Sequence, residues 1–220
     1  MNADLSLSEN VPSHLAWARL MLYAILYKDG ITTYRHTSGP VFWGLYNNQP
    51  NYISITDCSG FVNALLRQAY NLPIGWSGVN RAYASTYYRM INEQKYFIKI
   101  INIKNAKIGD FIVFKILFGT SKSDNTGHIM IINEQPKLIN AKSPIVPNTL
   151  QWLINIIDQS STHETNDSRY QNKRTGLGTG DIRIYTDTQG NLLGHSWSIE
   201  SNSRYIDKTE RPLVIGRLKL

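Results

Sequence analysis

Two residues, Cys58 and His128, have the chemistry that covalent catalysis needs. Cys58 is the single cysteine among 220 residues, and histidine is the usual base that activates a thiol nucleophile. A polar, turn-prone run precedes Cys58, and apolar residues at helical spacing follow it (Phe61, Val62, Leu65, Leu66 and Ala69). The sequence therefore predicts a helix whose first turn holds Cys58, with Thr56 or Asp57 as the N-cap.

A helix N-terminus favours the chemistry of a thiolate. The unpaired backbone N–H groups and the positive end of the helix dipole stabilise negative charge there. The same N–H groups, near Cys58 and Ser59, can hold an oxyanion that develops during attack on a carbonyl. The alternative is a buried structural cysteine, but Gly60 and the polar residues beside Cys58 leave little bulk around the sulfur.

His128 begins a predicted strand over Gly-His-Ile-Met-Ile-Ile at 127–132. Upstream, residues 107–114, which contain a Gly-Asp pair, are predicted to be a turn that enters another strand. A cysteine at the start of a helix and a histidine on a packed strand form the arrangement used by papain-type nucleophiles.

These segments resemble the NlpC family of papain-like cell-wall cysteine peptidases. The nucleophile motif of that family is similar to residues 57–62, Asp-Cys-Ser-Gly-Phe-Val, and its histidine motif is similar to residues 127–132. Met130 stands where the family has a small residue. The resemblance implies a third polar group shortly after the histidine and just before an alanine, and Asn140 occupies that position. Gln135 and Glu134 are weaker alternatives, and His195 is the main rival.

The family also carries a tyrosine and a Trp-Gly pair that shape the substrate cleft before the cysteine. Tyr34 and Trp43 resemble these residues, although they lie further from Cys58 than is usual. Tyr46 competes with Tyr34 for the tyrosine role. The alternative for each aromatic residue is packing in the core.

The expected fold class is α+β and papain-like. We expect N-terminal helices, the first over 13–28, a nucleophile helix packed on a central antiparallel sheet, and an insertion before the last strands. The whole chain, 1–220, is interpreted as one catalytic domain. The insertion at 146–195 is predicted to contain a short helix over 149–158 and a polar loop over 160–180, and it can form a cleft wall.

Composition excludes several other classes of function. The net charge is +7 at pH 7, but the basic residues are spread along the chain, so no nucleic-acid-binding arm is predicted. The apolar run at 15–27 is too short to span a membrane. A lone cysteine with scattered histidines does not have zinc-site spacing, so neither a metal nor another cofactor is expected.

The leading functional hypothesis is a cysteine endopeptidase or amidase that cleaves peptidoglycan stem peptides. The alternatives are a papain-like thioester acyltransferase or lipid hydrolase, and a catalytically inert wall-binding module. Residues 1–12 show no signal peptide, whereas the expected substrate lies in the periplasm or cell wall. That contrast is compatible with an antibacterial toxin delivered by a signal-free route, such as a type VI secretion effector, with an immunity protein as a partner.

Overall fold

A computed structural model describes residues 11–46, 49–117, 126–161 and 166–219. The three α-helices are α1 (Ser13–Tyr27), α2 (Cys58–Tyr70) and α3 (Ala84–Asn92), and a short 3-10 helix spans Ile103–Asn105. The strands are β1 (Ile31–Tyr34), β2 (Val41–Phe42), β3 (Leu45–Tyr46), β4 (Gln49–Pro50), β5 (Ile53–Thr56), β6 (Phe97–Ile100), β7 (Phe111–Lys115), β8 (Gly127–Ile132), β9 (Lys137–Ile139), β10 (Leu150–Ser160), β11 (Gly176–Thr186), β12 (Leu192–Ser196), β13 (Ile206–Asp207) and β14 (Leu213–Leu218).

Nine of these strands form one large sheet. Its order is β13-β12-β11-β10-β8-β7-β14-β6, with β9 added along one end of β10, and neighbouring strands pair antiparallel. A smaller sheet, β1-β5-β2, combines a parallel and an antiparallel pair, and β3 pairs with β4. The fold is therefore α+β with few helices, consistent with the expected papain-like class. No helix among the described residues has the length and apolar character to cross a membrane.

The large sheet is buried on both faces. The helices cover one face, where Phe61 and Leu65 of α2 pack with Val113 and Ile131 of the sheet. A second apolar cluster covers the other face and contains, among others, Ile112, Phe114, Met130, Ile154, Ile156, Ile182 and Ile215. Burial of both faces explains why β7 is a continuous apolar run rather than an alternating one.

The helix predicted after Cys58 and the strand predicted from Gly127 are both confirmed. The helix predicted over 149–158 is wrong, because this segment lies in β10 and pairs with β11 along its whole length. Ile154 and Ile156 pack in one apolar cluster, and Ile157 packs in the other. This alternation between the two faces is typical of a strand. The predicted polar loop also ends early, since β11 begins at Gly176.

The N-terminus of α2 is fixed by close packing against the end of β5. Asp57 is the N-cap, and its side chain accepts a hydrogen bond of 2.6 Å from the N–H of Gly60. Asp57 also pairs with Arg81 and accepts a hydrogen bond from Ser59 Oγ. A Cβ on residue 60 would lie 2.0 Å from Thr56 Oγ1, so only glycine lets the helix begin this close to the strand.

We therefore expect Gly60→Ala to destabilise the protein by about 1–3 kcal/mol, because overpacking displaces the first turn of α2. The free energy of unfolding from urea titration measures this loss. Thr56→Ala removes the clashing oxygen, which is buried and has no hydrogen-bond partner within the described ranges, and it should restore much of the lost stability in the double variant. A Gly60→Ala protein as stable as wild type would contradict this packing argument.

Candidate active site

The structure brings Cys58 and His128 together. Cys58 is the first residue of α2 and is 5% exposed. His128 lies at the start of β8, opposite Phe114 of β7, and its imidazole is close enough to the Cys58 side chain for that side chain to raise the pKa of His128. The N–H groups of Cys58 and Ser59 lie in the first turn of α2, where no intrahelical acceptor exists. A thiol, an imidazole and free backbone N–H groups therefore meet at one place, which is the arrangement that a nucleophile, a base and oxyanion donors need.

Asp158, rather than Asn140, is the third member of this group. His128 Nε2 lies 2.6 Å from Asp158 Oδ2, which leaves Nδ1 as the ring nitrogen for the sulfur. Asp158 is on the same face of β10 as Ile154 and Ile156, in the strand beside β8. Its carboxylate orients the imidazole and stabilises it as a cation.

Asn140 does not reach His128. It is exposed and follows β9, whose last residue, Ile139, pairs with Gln151 near the opposite end of β10. At about 3.3 Å per residue, the distance along β10 from Gln151 to Asp158 is about 23 Å. The local sequence pattern pointed to Asn140, but the register of β9 on β10 places it far from the imidazole.

Arg169 holds Asp158 in place. Its Nη2 donates to Asp158 Oδ1 at 2.6 Å, and its Nη1 donates to the carbonyl oxygen of Asp158 at 3.0 Å. The same guanidinium binds both carboxylate oxygens of Asp167. Because Arg169 is 3% exposed, this network is shielded from solvent.

Alternate glycines of β11 make room for this network. A Cβ on Gly178 would lie 2.3 Å from Arg169 Nε, and one on Gly180 would lie 2.7 Å from Asp167 Oδ2. The Gly-rich run of the sequence is therefore a strand that has no side chains on the face where Arg169 and Asp167 pack. Strand alternation in 154–158 and the glycine repeat after Arg169 are the signals that sequence reasoning missed.

The electrostatics favour a charged His128–Asp158 pair. Burial lowers the pKa of His128, but the nearby Cys58 side chain and the hydrogen bond and charge of Asp158 outweigh this effect, so the pKa of His128 is raised well above its usual value. Burial alone would raise the pKa of Asp158, but Arg169 and His128 hold it well below its usual value. Asp158 is thus a carboxylate at neutral pH.

Gln159 connects this strand to the segment that precedes the nucleophile. Its Nε2 donates to the carbonyl oxygens of Thr33, Ser54 and Thr56 at 2.9, 3.1 and 3.1 Å, and its Oε1 accepts from Ser54 Oγ at 2.8 Å. Gln159 is fully buried. Asp158 and Gln159 therefore fix the imidazole and the approach to Cys58 from adjacent positions of one strand.

The predicted aromatic residues have different surroundings. Tyr34 lines a cavity of about 340 Å³ together with His128 and Asp158. The Trp43 indole N–H donates to the carbonyl oxygen of Trp17 at 3.0 Å, and its ring packs against Phe61, so it ties α1 to α2 and is not a residue of the cavity wall. Tyr46 lies on β3, and its side chain is outside the described residues.

His195, the rival third group, lies behind the site. It is fully buried and stacks on Phe114 with ring centroids 3.9 Å apart, and neither of its ring nitrogens has a hydrogen-bond partner among the residues that the structure describes. Burial, and secondarily the charge of Arg211, lowers the pKa of His195 to about 3. It is therefore a neutral core residue at pH 7. Among the described residues, no group of three or more His, Cys, Asp or Glu side chains is placed to hold a metal ion.

The fold and the site are consistent with a papain-like protein that has a cysteine, a histidine and an aspartate at its centre. Residues 41–151 match the NlpC/P60 family. The chain is also 45% identical over 223 residues to an uncharacterized protein, R653, of Acanthamoeba polyphaga mimivirus, with 95% of this chain and 97% of that protein covered. The chain belongs to the NlpC/P60 family.

Members of that family are generally hydrolases of cell-wall peptides, so membership suggests a cell-wall peptidase or amidase. No solved structure matches the chain. Neither the family match nor the viral relative supports the expectation of an injected antibacterial effector.

We expect Asp158→Asn to slow the alkylation of Cys58 by iodoacetamide at pH 6 by roughly tenfold. Loss of the carboxylate lowers the pKa of His128, so less imidazolium remains to stabilise the thiolate. Asn140→Ala is the control and should stay within about twofold of wild type. Equal slowing in both variants, or none in Asp158→Asn, would contradict the assignment of Asp158.

Acid should destabilise the protein through His195. Below the ordinary histidine pKa of about 6.5, the unfolded chain binds a proton that the folded chain excludes, so stability rises with pH between about 3 and 6.5. From pH 7 to pH 5 this amounts to about 2 kcal/mol. His195→Phe should flatten that part of the dependence in urea titrations, whereas replacement of the exposed His36 by Phe should not. Parallel profiles for wild type and His195→Phe would refute this role.

Proposed function

We propose that this protein is a cysteine endopeptidase or amidase that cleaves amide bonds in peptidoglycan stem peptides. The observation that carries the proposal is the position of His128, which contacts Cys58 on one side and Asp158 on the other. This is the relation that a thiol nucleophile, its base and an orienting group require. Membership of the NlpC/P60 family, whose members are generally hydrolases of cell-wall peptides, supports this substrate class.

In the proposed reaction, His128 and Cys58 act in successive steps. His128 holds the proton of Cys58 as an imidazolium, and the thiolate attacks the carbonyl carbon of the scissile amide. The N–H groups of Cys58 and Ser59 donate to the oxyanion of the tetrahedral intermediate. His128 then gives its proton to the leaving amine as the C–N bond breaks, which forms a thioester on Cys58.

Water completes the turnover. Water attacks the thioester carbonyl and gives one proton to His128, which is now neutral. The C–S bond then breaks, the carboxylic acid leaves, and the Cys58 thiolate and His128 imidazolium are regenerated. Asp158 keeps the same ring orientation through both halves, because its bonds to Arg169 hold it fixed. The segment 146–195 supplies Asp158, Arg169 and part of the cavity wall, so we treat the chain as one catalytic unit.

Digestion of defined muropeptides, read by mass spectrometry, tests this function. Wild type should release a product whose mass shows one hydrolysed stem-peptide amide, and Cys58→Ala should be slower by at least about 1,000-fold. Cys58→Ser, nearly isosteric with the natural residue, should be comparably slow with an unchanged melting temperature.

Cleavage by Cys58→Ala at the wild-type rate would refute the mechanism. Wall binding by wild type without cleavage would favour an inert binding module. A stable acyl group on Cys58 that is passed to an amine in preference to water would favour an acyltransferase.

A further inference from the structure

The cavity beside His128 holds more polar chemistry than the proposed reaction uses. Its volume of about 340 Å³ is at the lower end for ligand sites, which suits part of a peptide rather than a long glycan. Phe114, Ile156 and Trp197 form its apolar wall. His128 and Asp158 line it as well, whereas Cys58 is not among its lining residues, so the imidazole is the group that connects the cavity to the nucleophile. The cavity is therefore a candidate subsite for the part of the substrate next to the scissile bond.

The charges that line the cavity are paired with one exception. The carboxylates of Asp158 and Asp167 are both bound by Arg169. Asp181 accepts a hydrogen bond from Asn155. Ile154 and Ile156, on either side of Asn155, point to the cavity side of the sheet, so Asn155 points to the other side. Because side chains alternate along a strand, the Asp181 carboxylate faces away from the cavity.

Arg211 is the exception. It is partly buried, and among the described residues its guanidinium has no hydrogen-bond or ion-pair partner. Its neighbour Glu210 pairs with Arg204 instead. Burial lowers the pKa of Arg211, and the charge of Glu210 offsets this only in part. A half-buried guanidinium that has lost hydration without gaining a hydrogen bond is stabilised when an anion binds.

A second donor in the same cavity is also unpaired. Asn166 lines the cavity, and its buried Nδ2 has no hydrogen-bond partner in the described part of the chain. Buried donors are normally satisfied, so an unpaired one indicates a place for a ligand acceptor. The cavity thus offers one cationic and one neutral donor with no acceptor to match them.

We propose that Arg211 is a specificity-determining residue that pairs with a free carboxylate on the substrate, and that Asn166 donates to an oxygen of the same peptide. A planar guanidinium matches a carboxylate through two parallel hydrogen bonds. This inference rests on the proposed function. It adds a requirement that the family match does not supply: a free carboxylate of the stem peptide must lie next to Arg211 when the peptide binds in the cavity.

Matched substrates test the requirement. Each stem peptide is used with free carboxylates, with the D-glutamate α-carboxylate converted to a carboxamide, and with the free carboxylate of the diamino acid converted to a carboxamide. Wild type should lose about 10- to 100-fold in kcat/KM on one of these amidations, because a charge-assisted bond is lost. The arm that shows the loss identifies the carboxylate. Equal rates on all three peptides would overturn the proposal.

Variants assign the effect to Arg211. Arg211→Gln should lower kcat/KM on the free-carboxylate peptide by about 10- to 100-fold and leave the sensitive carboxamide peptide within about threefold. Arg211→Lys should keep part of the preference. Lys208→Gln, which removes the same charge from an exposed position nearby, should behave as wild type. An equal loss on both peptides in Arg211→Gln would show a structural role and overturn the proposal.

Binding without turnover separates this inference from the proposed function. Isothermal titration of Cys58→Ala with the same peptides should show tighter binding of the free-carboxylate form, and Arg211→Gln in that background should abolish the difference. Carboxylate-dependent binding without cleavage by wild type would support the role of Arg211 and refute the hydrolase. Cleavage without any carboxylate preference would do the reverse.

Discussion

A buried row of alternating charges governs this site. The His128 imidazolium, the Asp158 carboxylate and the Arg169 guanidinium follow one another from the Cys58 side chain, and the Asp167 carboxylate ends the row. Each charge is removed from water, which is costly unless an opposite charge and directed hydrogen bonds compensate. Because every member has such a neighbour, removal of one leaves another buried and unpaired. The row therefore holds the imidazole charged and in one orientation, which is the state that a thiol nucleophile requires.

The site depends on the large sheet because the strand order places β10 beside β8. Asp158 and Gln159 are consecutive on β10 and point to opposite faces, one toward the imidazole and the other toward the backbone before Cys58. The same strand thus sets the position of the base and steadies the end of β5, from which α2 begins. Gly60 then lets α2 start without displacing Thr56.

Local patterns were enough to predict the nucleophile helix and the histidine strand. The apolar spacing after Cys58 fits a helix that packs on one face, and the run from Gly127 is too short and too β-branched for anything but a buried strand. Both predictions depend on residues close together in sequence, which is the range over which periodicity is informative.

The third group was not predictable in this way. Leu150, Leu153, Ile154 and Ile157 fit a helical stripe, and only the long pairing with β11 selects the strand that places Asp158 beside His128. Asn140 matched a local motif, but its position depends on the register of β9, which the motif does not contain. The roles of Arg169 and of the glycines of β11 likewise could not be predicted before the pairing of the strands was known.

The charge on His128 is the property from which the rest of the chemistry follows, and nitrogen-15 NMR of ring-labelled histidine observes it directly. At pH 8 the spectrum of the wild-type protein should show His128 with both ring nitrogens protonated, as an imidazolium held between Cys58 and Asp158. A neutral ring that titrates near the ordinary histidine pKa of about 6.5 would contradict the account.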